Sequence, residues 1–531
     1  MTMIPIRWRP AVAAFLGCSG VGLADVAPNP LFSDGAVLQR GMAVPVWGTA
    51  DEGEAVTVKF QGQEVAATAR GGKWSVRLAE LKPGGPFAMT IEGKNKVEVA
   101  DVMVGEVWVC SGQSNMEWTL ARAAEADSAV AAATDPGLRL FTVAKAVSDE
   151  PIAAVKPEPD AGKGTWLASG PATAARFSAV GYFFGRDLRK ALGVPVGLIH
   201  ASWGGTTAES WTGKKALEDD PALKTVLDDY ARALARYPEA RAKYEAARAD
   251  HRQAVAEAKA AGKPAPATPR EPTGPKTPHP TALYNAMVVP LQPYAIRGAI
   301  WYQGESNASR AFQYRTLFPT MIKNWREDWG QGDFPFLFVQ LAPFRKIVAE
   351  PGESDWAELR EAQWLTARNL PHTAMAVITD VGNEDDVHPR RKEPVGGRLA
   401  LAARGSVYGE SVVGSGPDFD GMAVDGDRAT LKFKDVGKGL VARDGPLQGF
   451  AIAGEDRKFV AAEAQIEGAT VVVRSPKVSQ PVAVRYGWAN YPVVNLWNAD
   501  GLPASPFRTD DFPMVTAPKP RPKPAAAAGV Q

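Results

Sequence analysis

Between Val104 and Arg404, short apolar runs alternate with longer amphipathic stretches, and this alternation constrains the fold more than any other feature of the chain. The apolar runs Glu106–Cys110, Leu138–Val143, Val194–His200, Gly298–Gln303, Phe336–Leu341 and Met375–Thr379 read as strands. Ser178–Leu192, Tyr314–Trp329, Trp356–Leu370 and Glu393–Arg404 read as helices. Strands that are apolar on both sides need cover on both faces. The pattern therefore predicts an α/β fold with a parallel sheet and helices on both faces. In such sheets ligands bind at the carboxyl ends of the strands.

A chain of 531 residues is too long for one core, so two to four domains are expected. From Pro30 to Val102 the chain alternates apolar and polar residues between Gly-rich turns, as in Ala55-Val56-Thr57-Val58-Lys59-Phe60 and Trp74-Ser75-Val76-Arg77-Leu78. This predicts a small β-sandwich over residues 25–103. The β pattern returns after Ser411, for example at Thr470-Val471-Val472-Val473, and predicts a second β domain over 411–515. A polar, Ala-rich segment from Lys214 to Gly262 reads as a helical hairpin inserted near the site or as a solvated spacer. A Pro-rich linker, Lys263 to Pro280, follows it. The Pro- and Ala-rich tail, 516–531, is expected to be disordered.

Residues 1–24 read as an export signal, with basic Arg7 and Arg9, apolar Ala11–Leu16 and Val21–Leu23, and cleavage after Ala24. A periplasmic or extracellular location follows. Cys18 is a candidate for lipid attachment, but a plain signal explains the segment without it. After cleavage only Cys110 remains, so no disulfide can form within the mature chain. No Cys/His metal spacing exists, and neither a metal nor another cofactor is expected. Lys and Arg number 60 against 59 Asp and Glu, which argues against a nucleic-acid partner. No stretch is long enough to span a membrane. The 15 Trp offer ring faces on which sugars can stack.

The strand Val107–Cys110 stops at Ser111-Gly112-Gln113, and an amphipathic stretch begins at Ser114 and continues to Val130. A serine at a strand-to-helix turn suits a nucleophile, because free N–H groups and the helix dipole favour a developing oxyanion. The same position suits a simple N-cap. Partners decide between the two. Three further loops at predicted strand ends carry polar residues: Ser202-Trp203-Gly204-Gly205-Thr206, Tyr302-Gln303-Gly304-Glu305-Ser306-Asn307 and Asp385-Asp386-Val387-His388-Pro389. Of the five His, only His388 sits beside acids in a loop after the last predicted strand. It is the candidate base, with Asp385 or Asp386 to orient it. Oxyanion donors would be the Ser114 N–H, a glycine at 204 or 205, and the Gln303 amide. Glu305 is read as orienting the Gln303 or Ser114 loop. Glu209 and Trp211 are candidates for the sugar side, with packing the plainer role for Trp211.

Gly112-Gln113-Ser114-Asn115, Gly204-Gly205-Thr206, Gln303-Gly304-Glu305-Ser306-Asn307 and Asp386-Val387-His388-Pro389 resemble the blocks of the SGNH hydrolase superfamily, and more narrowly the sialate O-acetylesterase branch of carbohydrate esterases. The resemblance implies a flavodoxin-like three-layer α/β/α core over 104–410, flanked by small β-sandwich domains, and metal-free removal of O-acetyl groups from sugars. Acetylxylan or another polysaccharide is the alternative substrate, and a non-catalytic carbohydrate-binding protein the alternative class. By residue it implies Ser114 as nucleophile, Gly205 and Gln303 as oxyanion donors and His388 as base. Gln303 stands where the superfamily usually has Asn. The superfamily spacing selects Asp385 as the acid, whereas the narrower Asp-x-His-Pro phrase selects Asp386. The Gly-x-Ser-x-Gly elbow of α/β-hydrolases is absent, since Met116 occupies the second Gly position.

Overall fold

The fold is that of a computed structural model, which describes residues 25–158 and 166–518. The expected signal segment and Cys18 lie outside the described residues.

Seven strands form the centre of the molecule: β1 (Lys96–Gly112), β2 (Asp135–Thr142), β3 (Trp166–Ser169), β4 (Val196–Ser202), β5 (Gly298–Tyr302), β6 (Phe336–Val339) and β7 (Thr373–Ala376). Their order is β3-β2-β4-β1-β5-β6-β7. All neighbours are parallel except β3, which pairs antiparallel with β2 at the edge, so the sheet is mixed rather than wholly parallel. An antiparallel edge strand needs no crossover helix, and its short Trp166-Leu167-Ala168-Ser169 run gives no sign of its direction. Strand β1 lies where the order reverses, with β4 on one side and β5 on the other. A crevice therefore opens above its carboxyl end.

Side-chain alternation places the helices. Trp108 and Cys110 of β1 meet the helix α1 (Ala179–Leu192), through the Phe184 ring and the close approach of Gly181. Trp301 of β5 is the register partner of Ser111, so it points the opposite way. It packs against Phe318 and Trp325 of α2 (Ala311–Trp329). Helix α3 (Asp355–Asn369) lies beside α2, and α4 (Glu393–Ser406) beside α1, where Gly396 lets the backbones approach.

Strand β1 is one continuous element of 17 residues. Its first half pairs with Gly84–Glu92 and Val37–Gln39 in the N-terminal β region, and its second half with β4 and β5. The two regions thus share backbone hydrogen bonding and one apolar core. Glu106, wholly buried, ties them further by accepting from Arg40, Arg297, Gln39 and Tyr408. Burial opposes its ionisation, but the Arg297 and Arg40 guanidiniums hold its carboxyl below the usual range. The C-terminal strands form antiparallel sheets around a separate core that includes Leu431, Val473, Ile452 and Phe507.

Three expectations need correction. The Lys214–Gly262 insertion is not a hairpin of two helices. It forms a short helix, Lys214–Asp219, and one 40-residue helix, Pro221–Ala260, of which only Leu223 and Val226 are buried. The Pro-rich segment runs back along it, with an Arg241–Glu271 ion pair and His251 Nε2 3.0 Å from the Pro266 carbonyl. Proline removes N–H donors and fixes φ, so the return is extended. The tail is not free from residue 516, because the Thr516 N–H and hydroxyl both donate to the buried Glu358 carboxylate. Finally, helix does not run from Ser114 to Val130. It breaks into Ser114–Glu117, Leu120–Arg122 and Ala126–Ala131.

Candidate active site

Strand β1 ends at Gly112, where φ is +138° and an added Cβ would lie 2.2 Å from the Tyr302 carbonyl oxygen. Only glycine permits that approach. The chain then turns, and the Gln113 N–H donates to the Tyr302 carbonyl at 3.0 Å. Gln113 is the N-cap of the short helix, and Ser114 is its first residue, so Ser114 is not the cap. The serine hydroxyl is left to other partners.

It has one: Ser114 Oγ lies 2.9 Å from His388 Nε2. His388 Nδ1 lies 3.0 Å from Asp386 Oδ1, which also accepts from the His388 backbone N–H at 2.9 Å. Partial burial opposes ionisation of Asp386, but its bonds from the His388 backbone and ring hold the carboxyl below its usual range. Asp385 points elsewhere, to an exposed ion pair with Lys346 at 2.6 Å. The Asp385 alternative is therefore corrected in favour of Asp386, whose own N–H is held by Asn383.

Above Ser114 lies Gly204, where an added Cβ would stand 3.2 Å from Ser114 Cβ. Its N–H donates to Glu117 Oε2. Gly205 takes φ +74°, and its N–H has no acceptor among the described residues. Of the two glycines, 205 has the donor to offer. Gln303 does not. It is wholly buried, and both amide hydrogens are taken, by the Thr206 carbonyl at 3.3 Å and Asn307 Oδ1 at 2.6 Å. Its carbonyl accepts from the Tyr314 hydroxyl at 3.0 Å. The expectation that it donates to an oxyanion is corrected, because a side-chain amide has only two donors.

Trp211 and Glu209, the candidates for the sugar side, are corrected to buried positions, whereas Glu305 lies on the Ser114 loop it was read to orient. Trp211 is fully buried, with its indole N–H on Thr206 Oγ1. Glu209 is buried between Arg310 and Asn307. Glu305 Oε1 accepts from Asn115 Nδ2 at 2.6 Å, so it holds the Ser114 loop.

A cleft of about 1000 Å³ opens beside Ser114 and His388. Trp118, Arg122, Lys145, Arg176 and His200 line it. Trp118 stacks on the His388 ring, with centroids 5.4 Å apart. His200 Nε2 lies 2.6 Å from Ser202 Oγ, and burial lowers its pKa to about 4, so the ring is neutral at pH 7. Sequence reasoning missed Asn115, Trp118 and Lys392. Asn115 and Trp118 lie within four residues of Ser114, and that proximity was the signal available. Lys392, wholly buried at the start of α4, donates to Asn115 Oδ1. A lone lysine in a polar loop gives no such sign. Among the described residues, no cluster of three His, Cys, Asp or Glu could hold a metal ion.

A family model described as carbohydrate esterase, sialic acid-specific acetylesterase, matches residues 275–403. Rat sialate O-acetylesterase is 33% identical over 399 residues, covering 69% of this chain and 70% of that protein. The human sialate O-acetylesterase is 32% identical over 406 residues, with 70% and 69% covered. The chain belongs to the sialate O-acetylesterase family. A crystal structure described as a novel carbohydrate acetylesterase from Xanthomonas citri is 41% identical, with a TM-score of 0.77, and covers 92% of this chain and all of that one. This family member is thus a carboxylic ester hydrolase with a mixed α/β fold. The matched segment 275–403 holds β5 to β7, Gln303, Asp386, His388 and Lys392, whereas Ser114 comes from an earlier part of the chain.

Proposed function

We propose that the protein is a serine esterase that removes O-acetyl groups from sugars through an acetyl-enzyme. The observation that carries this reading is the contiguous Ser114–His388–Asp386 hydrogen-bonded series at the switch point of the sheet. Ser114 attacks the acetyl carbonyl while His388 Nε2 takes its proton. Asp386 keeps the ring in the tautomer with the proton on Nδ1 and stabilises the imidazolium. The N–H groups of Ser114 and Gly205 receive the oxyanion. His388 returns the proton to the leaving sugar hydroxyl, and water then releases acetate by the same route.

We read the core as the three-layer SGNH arrangement, with β-sandwich regions on either side of 104–410. The exposed guanidiniums of Arg122 and Arg176 at the cleft fit an acidic acetylated sugar such as a sialic acid. Ser114→Ala is expected to abolish p-nitrophenyl acetate hydrolysis with the circular dichroism spectrum unchanged. Full activity in that variant would end the proposal. Acetate release from O-acetylated sialic acid, compared with a neutral acetylated xylan, tests the substrate.

A further inference from the structure

Behind Ser114 and His388, the side chain of Asn115 joins three segments that are distant in sequence. Its Nδ2 donates to Glu305 Oε1 at 2.6 Å and to the Val387 carbonyl at 3.0 Å. Its Oδ1 accepts from Lys392 Nζ at 2.5 Å. Asn115 follows the serine, Val387 precedes the histidine, Glu305 lies in the loop after β5, and Lys392 opens α4. Both Asn115 and Lys392 are buried.

The charged partners are poorly satisfied for their burial. Glu305 Oε2 is closed off from solvent with no hydrogen-bond partner among the described residues. The Lys392 ammonium donates to one oxygen and lies 5.5 Å from the Tyr302 ring and 5.7 Å from the Trp118 ring. Such a pair costs more than apolar side chains of similar size would, so stability alone does not account for it. Orientation does. A carboxylate can only accept and an ammonium can only donate. Together they allow one of the two amide orientations of Asn115, the one whose second hydrogen reaches Val387 and fixes the backbone before His388.

We propose that Lys392 and Glu305 are positioning residues for the ester hydrolysis. Acting through the Asn115 amide, they hold the serine and histidine loops in register and bias the imidazole electrostatically with opposite signs. This rests on the reading of Ser114 and His388 as nucleophile and base.

Tyr302 and Tyr314 feel the Glu305 charge, and Glu117, Lys145 and Arg176 line the cleft beside His388. Asp386 sits on the far nitrogen of the imidazole, and Glu125 accepts from the Lys392 backbone N–H at 3.4 Å. The Arg122 guanidinium covers Trp118 at 3.7 Å, while Arg390 and Arg391 donate to the Arg122 and Asp380 carbonyls. Burial lowers the Lys392 pKa to about 7 and raises that of Glu305, and the charge of each opposes the shift of the other. Removing the ammonium leaves a carboxylate near the imidazole and favours its protonation. Removing the carboxylate leaves an ammonium and opposes it.

The test uses the full chain with Lys392→Met, Glu305→Gln and the double variant, read by the pH profile of p-nitrophenyl acetate hydrolysis. Each single change is expected to lower kcat by roughly 10–100-fold with KM nearly unchanged, as for groups that orient a reacting side chain. The acidic limb of kcat/KM moves up by about one pH unit in Lys392→Met and down by a similar amount in Glu305→Gln. It returns toward the wild-type position in the double variant. Limbs that stay in place, or that move in the same direction, overturn the inference, since a purely structural role predicts no opposition of sign. If Lys392→Met fails to fold, Glu305→Gln decides alone, and an unmoved limb there overturns it. Activity in Ser114→Ala would sink the underlying reading. Inactivity there with unmoved limbs here would sink only this inference.

Discussion

Asp385 and Asp386 are adjacent and chemically identical, yet only one carboxylate meets the imidazole. The Asn383 side chain accepts from both backbone N–H groups and turns the loop so that Asp386 faces His388 while Asp385 faces solvent and Lys346. Asp386→Asn is expected to lower kcat by roughly 10²–10⁴-fold, because an amide can present a donor to Nδ1 and support the wrong tautomer. Asp385→Asn should change kcat by no more than about twofold, since it loses only an exposed pair. Steady-state kinetics on both variants checks the assignment, and equal losses would reject it. The same scale explains why Gln303 misled. Its type and motif suit an oxyanion donor, but the count of its partners does not. Tyr314, Asn307 and the Thr206 carbonyl use every bond it can make toward this loop, so it braces the site from within.

Elements were readable where burial imposes one pattern over several residues. The six parallel strands and the helices α1 to α4 lie close to where apolar runs and 3.6-residue periodicity put them, because both faces of a parallel sheet must be covered, whereas the short antiparallel edge strand β3 was not anticipated. The turn that presents Ser114 was placed correctly, but its helix was read too long. Four residues of helix suffice to aim the serine, and Trp118 then leaves the helical path to stack on His388. Gly112 is the element-level requirement, as its positive φ brings the backbone against Tyr302. Gly112→Ala is expected to destabilise the chain by about 2–4 kcal/mol, through strain and displacement of β5. Urea denaturation measures this, and a change below about 0.5 kcal/mol, the size expected for an unremarkable surface site, would contradict the requirement. The 40-residue helix shows the opposite limit. Its Ala-rich, charged sequence has no apolar stripe, so propensity alone could not say whether it doubles back as helix or returns as extended chain.

At the scale of the whole molecule, one arginine joins the hydrolase core to the C-terminal β region. Arg360 of α3 is fully buried and donates to the carbonyls of Leu341, Ala342, Ala489 and Asn490. Burial lowers its pKa to about 9. Gln340 to Ser505 and Arg508 to Glu361 add bonds across the same seam. Arg360→Met would leave the Leu341 and Ala489 carbonyls without a donor, whereas Ala342 keeps Trp356 Nε1 and Asn490 keeps the Phe344 N–H, and should cost roughly 3–5 kcal/mol. The expected result is a lower midpoint in chemical denaturation, with Ser114 still labelled by a fluorophosphonate in native buffer. An unchanged midpoint would mean that the seam does not depend on this residue.

The sequence by itself determined the alternation of strands and helices, the serine at a strand end, the histidine beside acids, and the flanking β patterns. Each of these is written in local periodicity or in a short phrase, which chain-local physics enforces. Only the tertiary structure decided which aspartate serves His388, that Gln303 and Glu209 face inward, and that Asn115 gathers Glu305, Val387 and Lys392 behind the nucleophile. Those outcomes depend on partners separated by up to 277 residues, whose competition for a limited number of hydrogen bonds is settled when the loops meet at the end of the sheet.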